Sequence, residues 1–303
     1  MTVTANTPLT EIDGRNLYYT FIAGGNRVIA SQAELNRINV FPVNDGDTGT
    51  NLASTIRSVI DSLHPDRSYK VTAGRIAEAA LMNARGNSGI IFAQFLYGLS
   101  RETDVTATVN LRQFAESVQR AVRYVYEAVA NPVEGTMLTV IKEWAEYLNA
   151  SWHKFTDFNL FLLSSLDVLR KSLAETTSKL RVLATAKVVD AGAKGFVLFV
   201  EGIIDYIRTR NVKELIQSKM ETVSHFREEV TVAEIVNFRY CTEALIKNCS
   251  LGHQELSEIL ERFGDSAVIA GSDEIRRIHV HTNTPADLFS ELRKSGMLTF
   301  QTA

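Results

Sequence analysis

The residues best suited to chemistry lie in one short acidic stretch. Asp45 and Asp47 are two positions apart, and glycines and side-chain oxygens flank them within residues 39–51. Hard divalent cations such as Mg²⁺ prefer oxygen ligands, take one or two protein carboxylates, and leave their other positions to water and phosphate oxygens. The spacing therefore predicts a magnesium site. Asp-Gly is also common in plain surface turns, so a simple turn is the alternative interpretation.

A second glycine pair, Gly86 and Gly89, comes directly before an apolar helical stretch. A glycine-rich turn at a helix N-terminus collects backbone N–H groups and the positive end of the helix, which together favour phosphate. An ordinary turn capped by Asn87 or Ser88 would have the same sequence. The GK[ST] of a Walker loop is absent, and no strand precedes the turn as a nucleophile elbow requires.

Two further glycine-bearing loops, residues 131–137 and 190–195, also separate helical stretches. Each alone is typical of an interhelical connection. In an up-and-down bundle, however, alternate connections lie at the same end. Several of the four loops are therefore expected to meet around one ligand.

The elements that would position these loops are mostly helices. Apolar residues recur at helical spacing between Leu111 and Val129, with Asn110 as the expected N-cap and Gln113 completing a capping box. The periodicity predicts an all-α domain over residues 1–210, a polar linker over 211–228, and a small α+β domain over 229–303.

The small domain holds a candidate soft-metal site. His279 and His281 alternate on a predicted strand, so both imidazoles share one face, and Cys241 lies on another predicted strand. Two imidazoles and a thiolate suit Zn²⁺ with an open fourth position. A His-x-His pair with a structural or surface role is the alternative.

Composition narrows the class of protein. The 303 residues suffice for about two domains, and 17 Gly with only 5 Pro favour helices. A net charge of −3 shows no basic surplus, which argues against a nucleic-acid partner. Two cysteines cannot form a disulfide framework, so a reduced cytoplasmic setting is expected. No uncharged apolar run reaches 18 residues, and no membrane span is predicted.

The four loops, taken in order, resemble the ATP-binding subunit of the dihydroxyacetone kinases. They resemble more closely the ATP-binding subunit of bacterial fatty acid kinases, which phosphorylate acyl chains held by a separate DegV-type carrier protein. The resemblance covers roughly residues 10–300, because the small domain also looks like that kinase's middle domain. It implies a mainly α fold: an eight-helix antiparallel barrel that binds ATP at one end, followed by the α+β domain.

The resemblance also implies roles for individual residues. Asp45 and Asp47 would be the catalytic carboxylates, ligating two Mg²⁺ ions that bridge the ATP phosphates. Asn39 stands nearest to the place of a third Asp in the dihydroxyacetone kinases and would compensate less charge. The expected nucleotide contacts are Thr48, Gly49 and Asn51 beside the metals, Asn87, Ser88 and Gly89 around the phosphates, Thr136 and Met137 towards adenine, and Asp190 with Gly192 over the nucleotide.

The implied activity is transfer of the γ-phosphate from ATP to a fatty acid carboxylate. The acceptor would be presented by a DegV-like partner, either a separate protein or a domain fused after Ala303. A homodimer is also among the expected assemblies. The related middle domain carries a Cys/His metal site at what look like the positions of Cys241, His279 and His281. The alternatives are a nucleotide-bound coregulator without turnover and the ATP-binding subunit of a dihydroxyacetone-type kinase.

Overall fold

The computed structural model describes residues 8–210 and 238–303. The predicted linker over 211–228 and the first residues of the predicted small domain lie outside these ranges.

Helices make up most of residues 8–210. In chain order they are α1 (Gly14–Ala30), α2 (Gln32–Arg37), α3 (Thr48–Ser62), α4 (Tyr69–Asn83), α5 (Gly86–Glu102), α6 (Leu111–Glu127), α7 (Met137–Ser151), α8 (Phe158–Ser164), α9 (Leu166–Lys179), α10 (Arg181–Ala186) and α11 (Ala191–Thr209). Within this range, eight of them have 14 residues or more. The last, α11, packs against α1 and closes the ring. The predicted eight-helix barrel is confirmed.

The predicted capping box forms at the start of α6. Asn110 Oδ1 accepts the backbone N–H of Gln113 at 3.0 Å, and Gln113 Oε1 accepts the N–H of Asn110 at 3.1 Å. Two N–H groups at the helix N-terminus are thereby satisfied. Two three-residue strands, β1 (Glu11–Asp13) and β2 (Thr108–Asn110), pair antiparallel beside this cap. They are too short to show a period in the sequence.

The second domain is the predicted small α+β unit. Its elements are β3 (Tyr240–Lys247), α12 (His253–Phe263), β4 (Gly264–Ser272), β5 (Ile275–Thr282), α13 (Pro285–Leu292) and β6 (Met297–Thr302). The four strands form one antiparallel sheet in the order β4-β5-β3-β6. Both helices bury apolar side chains, among them Leu260 and Leu288, against Ile246, Ile278 and Val280 of the sheet.

The small domain docks on the barrel through β4. Val268 forms a β-bridge with Val129 after α6, and the N–H of Ile269 donates to the carbonyl of Ala128 at 2.8 Å. The side chain of Gln94 on α5 accepts the N–H of Gly271 at 2.8 Å. These contacts hold the sheet against α5 and the C-terminal end of α6. In the described residues, no helix is long and apolar enough to span a membrane.

Candidate functional site

The loop before α3 is held in shape by one buried amide. Asn39 is 2% exposed; its Nδ2 donates to the carbonyl of Val43 at 2.9 Å, and its Oδ1 accepts the N–H of Thr48 at 2.8 Å. Both ends of the acidic stretch are therefore fixed by a single side chain. A role for Asn39 as a Mg²⁺ ligand stays a prediction.

Between these fixed ends, Asp45 and Asp47 lie side by side. The N–H of Asp47 donates to Asp45 Oδ1 at 3.4 Å. Burial, followed by the charge of Asp45, raises the pKa of Asp47 to about 6. The charge of Asp45 thus disfavours the charged form of Asp47, and a bound divalent cation would relieve that repulsion.

The first turn of α5 faces the acidic loop. Gly86 adopts φ +56°, and a Cβ there would lie 2.1 Å from Asn51 Nδ2, so the tight turn requires glycine. Ser88 Oγ lies 3.5 Å from Thr48 Oγ1, which brings the N-termini of α3 and α5 together. First-turn N–H groups have no acceptor within their helix and carry its positive end. The arrangement suits an anion next to the two carboxylates.

One side of this region is a small acidic pocket. The predicted residues Asn39, Asp45, Asp47, Thr48, Asn51, Asn87 and Ser88 all line it. The pocket continues into a wider cavity of about 240 Å³ through the shared residues Thr48, Asn87 and Ser88. The wider cavity has a more apolar wall, formed by Phe41, Pro42, Ile91, Val129, Val133, Met137 and Leu138. The remaining predicted residues on its wall are Thr136, Asp190 and Gly192.

Asp190 also orders two helix starts at this cavity. Its Oδ1 accepts the N–H of Ala193 at 2.7 Å and caps α11, while its own N–H donates to Thr176 Oγ1 at 3.0 Å. Burial raises the pKa of Asp190 to about 6, although the N–H groups of Ala193 and Met137 favour the charged form. The carboxylate is thus shared between the start of α7 and the start of α11.

The predicted glycines divide into two groups. A Cβ on Gly192 would lie 3.0 Å from Met137 Cε and 3.6 Å from Ser88 Oγ, so this glycine keeps the cavity open. A Cβ on Gly49 would lie 2.2 Å from the carbonyl oxygen of Gln32, and one on Gly89 would lie 2.4 Å from Thr55 Oγ1. Gly49 and Gly89 therefore allow close helix packing. Their predicted contacts with a nucleotide stay predictions.

The structure brings Cys241, His279 and His281 together. Cys241 pairs with His281 across β3 and β5, and the Nε2 atoms of His279 and His281 are 3.3 Å apart. Cys241 Sγ lies 3.7 Å from His279 Nδ1, and the potential ligand atoms of all three residues lie within 4.8 Å of one another. Both histidines also line the acidic pocket. The two clusters, predicted in separate domains, therefore share one cavity.

The two imidazoles differ in charge preference. Burial alone would lower the pKa of His279, but hydrogen bonds and charge from Cys241 and Glu243 raise it to about 10. Burial and the neighbouring charge of His279 lower the pKa of His281. The pKa values of the two neighbouring imidazoles are therefore shifted in opposite directions.

Sequence reasoning missed several cavity residues. The small domain contributes Ser266, Ala267 and Val268 to the wall of the wider cavity, and no sequence pattern indicates that docking. Glu243 was also missed, although a signal existed. It lies two positions after Cys241 and pairs with His279, so the period of two places it on the same sheet face as the Cys/His cluster.

The helical barrel followed by a small docked sheet is the arrangement that two family models describe in this chain. The chain belongs to the DAK2 domain family, whose model matches residues 42–205, more than half of its length. A second family model, which describes the FakA-like middle domain of fatty acid kinases, matches residues 237–301. The resemblance drawn from the four loops is confirmed.

Curated relatives extend beyond this chain. An uncharacterized protein of Staphylococcus epidermidis is 32% identical over 302 residues, covering 96% of this chain and 54% of that protein. Protein YloV of Bacillus subtilis is 30% identical over 303 residues and is covered to 55%. The chain spans about half the length of these relatives. Among solved structures, a dihydroxyacetone kinase from C. freundii in complex with AMP-PNP and Mg²⁺ aligns at 15% identity, with a TM-score of 0.47, over 68% of this chain and 36% of that one.

Proposed function

We propose that the chain is the ATP-binding subunit of a kinase that phosphorylates a fatty acid carboxylate. The observation that carries the proposal is the convergence of four separate segments on one cavity. The acidic loop and the first turn of α5 form its polar end, and the starts of α7 and α11 form much of its wider end.

The two ends of the cavity suit the two parts of a nucleotide. In this proposal Asp45 and Asp47 hold Mg²⁺, with Asn39 near a second ion, and Asn87 and Ser88 bind the phosphates through first-turn N–H groups. The apolar wall that includes Phe41, with Thr136 and Met137 nearby, takes the base. The bound cations supply charge neutralisation, which together with positioning accounts for most of the catalysis of phosphoryl transfer.

The match to the FakA-like middle domain of fatty acid kinases supports the choice of acceptor. The acceptor carboxylate oxygen attacks the γ-phosphorus, the bond from that phosphorus to the β–γ bridging oxygen breaks, and ADP leaves with the electron pair. A carboxylate is already ionised near neutral pH, so this acceptor needs no general base. We propose that a DegV-like protein or fused domain presents the fatty acid, in the cytoplasm.

The Cys/His cluster is proposed to hold Zn²⁺. The close approach of one thiol and two imidazoles supports the assignment, since this donor set leaves one tetrahedral position open. A zinc ion there would sit on the wall of the acidic pocket, because His279 and His281 line it.

Turnover tests the proposal directly. The purified protein is mixed with ATP, Mg²⁺ and a DegV-type carrier loaded with a fatty acid, and ADP and acyl phosphate are measured. We expect both products in equal amounts only with the loaded carrier. Product formation with dihydroxyacetone in place of the carrier would favour the small-ketone kinase. Nucleotide binding without turnover under any of these conditions would favour a coregulator.

A further inference from the structure

A buried carboxylate of the small domain reaches the phosphate-binding turn of the barrel. Glu243, on β3, is 6% exposed. Its Oε1 accepts the backbone N–H of Gly86 at 2.7 Å, and its Oε2 accepts a hydrogen bond from Arg277 Nη2 at 2.6 Å. Its Oε1 also lies 3.7 Å from His279 Nδ1. One side chain thus contacts α5, the partner strand β5 and the Cys/His cluster.

The bond to Gly86 acts on the part of α5 that faces the cavity. Gly86 is the first residue of the helix, and Asn87 and Ser88, which follow it, line both parts of the cavity. Gly86 also has the left-handed backbone that lets the turn approach Asn51. Because an amide hydrogen bond fixes both position and direction, the carboxylate restrains the orientation of the next two N–H groups.

The charge of Glu243 is balanced locally. Arg277 is 2% exposed, and its guanidinium lies 4.5 Å from the centre of the Phe300 ring. An unbalanced carboxylate at a helix N-terminus would compete with a phosphate for the positive end of the helix. The Glu243–Arg277 pair removes that competition, so the carboxylate can hold the turn without repelling an anion.

We propose that Glu243 is a positioning residue for the phosphate-binding turn, which makes the small domain a structural part of the nucleotide site. This inference rests on the proposed function, because it assumes that the cavity binds Mg²⁺ and a nucleotide. It assigns Glu243 no contact with the nucleotide itself.

The test separates the hydrogen bond from the charge. Replacing Glu243 alone would leave Arg277 buried without its partner, which is strongly destabilising. Two double variants of equal charge are therefore compared: Glu243→Gln with Arg277→Met, and Glu243→Leu with Arg277→Met. Glutamine keeps an acceptor for the N–H of Gly86, and leucine of similar size does not. Should the leucine version not fold, Glu243→Met with Arg277→Met replaces it.

Affinity for Mg²⁺ and ADP is measured by calorimetry, and the unfolding midpoint is measured without nucleotide. We expect the glutamine variant to bind about tenfold more tightly than the leucine variant, the effect of one lost hydrogen bond. The leucine variant should also unfold at a lower midpoint, because the buried N–H of Gly86 loses its acceptor, so both affinities are measured at a temperature where both variants are fully folded. The control is Arg112→Met with Glu116→Gln, which removes an exposed ion pair on α6 and should not change affinity.

Equal affinity of the two double variants, whether high or low, would overturn the inference. High affinity in both would mean that the turn needs no acceptor, and low affinity in both would assign the effect to the lost charges. A wild-type protein that binds no ADP in the presence of Mg²⁺ would instead refute the proposed function.

Discussion

The acidic loop and the Cys/His cluster line the same pocket but are built in different ways. Asp45 and Asp47 lie within three consecutive residues, and one buried amide, Asn39, closes their loop. Cys241 and the histidines come from two strands and meet only through the register of the sheet. The loop offers oxygen ligands, and the cluster offers nitrogen and sulfur.

This difference indicates different cations. Oxygen ligands suit Mg²⁺, which keeps several waters and arrives with phosphates, whereas imidazole and thiolate suit zinc. The acidic loop holds two carboxylates side by side, and burial followed by the charge of Asp45 raises the pKa of Asp47. The cluster is held on paired strands and needs little rearrangement to take an ion. We therefore expect an exchangeable ion at the loop and a resident ion at the cluster.

The largest effect is expected from removing either loop carboxylate. Asp45→Ala and Asp47→Ala should each lower the rate of ADP formation with loaded carrier on the order of 1000-fold. The reason is that a lost metal ligand removes several kcal/mol of charge stabilisation from the transition state. Steady-state ADP release measures it. The control is Asp61→Ala, an exposed position in the last turn of α3, which should retain the wild-type rate.

Rates within tenfold of wild type for both loop variants would contradict the assignment of Asp45 and Asp47 as catalytic metal ligands. The acidic loop would then no longer be a candidate site for the exchangeable ion.

Metal content should distinguish a resident zinc ion at the Cys/His cluster from an exchangeable ion at the acidic loop. The purified wild-type protein should contain about one zinc per chain, the stoichiometry of one tetrahedral site, and Cys241→Ser should lose most of it. Cys249 is the matched control, because it is a buried thiol of the same domain that lies in the small core. Cys249→Ser should keep the zinc. Elemental analysis that finds no zinc in the wild type, or equal zinc in both variants, would rule out the cluster as a zinc site.

Local features of the sequence were enough to predict much of this molecule. The capping box at Asn110, the Asp45–Asp47 spacing and the alternation of His279 and His281 each depend on residues a few positions apart, and each has a structural reason visible in the sequence. The mainly helical character of the first domain follows from apolar stripes such as the one in α6, whereas the number of eight helices came from the family resemblance.

Contacts between the domains could not be predicted in the same way. Glu243 and Gly86 are 157 positions apart, and nothing in either neighbourhood specifies the other. The β-bridge between Val268 and Val129, which follows α6, likewise depends on how the two folded domains dock. The shared pocket therefore depends on the docking of the two domains, which the periodicity of the sequence does not predict.

The smallest expected effect concerns the stability of the loop without metal. Burial and the charge of Asp45 raise the pKa of Asp47 to about 6 in the folded protein, above its ordinary value of 3.8 in an unfolded chain. A group with a raised pKa contributes its full stability below the unfolded value and loses it as the pH rises through the folded value. The charged carboxylate therefore destabilises the metal-free fold above pH 6.

Asp47→Asn should consequently raise the free energy of unfolding at pH 7.5 by about 1 kcal/mol in Mg²⁺-free buffer, with little gain at pH 4. Denaturant unfolding at both pH values measures this. Asp190→Asn is the matched comparison. Burial also raises the pKa of Asp190 to about 6, but its carboxylate accepts backbone N–H groups at the N-termini of α7 and α11. Added Mg²⁺ should stabilise the wild type and Asp190→Asn, but not Asp47→Asn, because only the last lacks a loop carboxylate. An equal response to Mg²⁺ in both variants would mean that the crowded pair is not where the cation binds, and that the exchangeable ion must be sought elsewhere on the cavity wall.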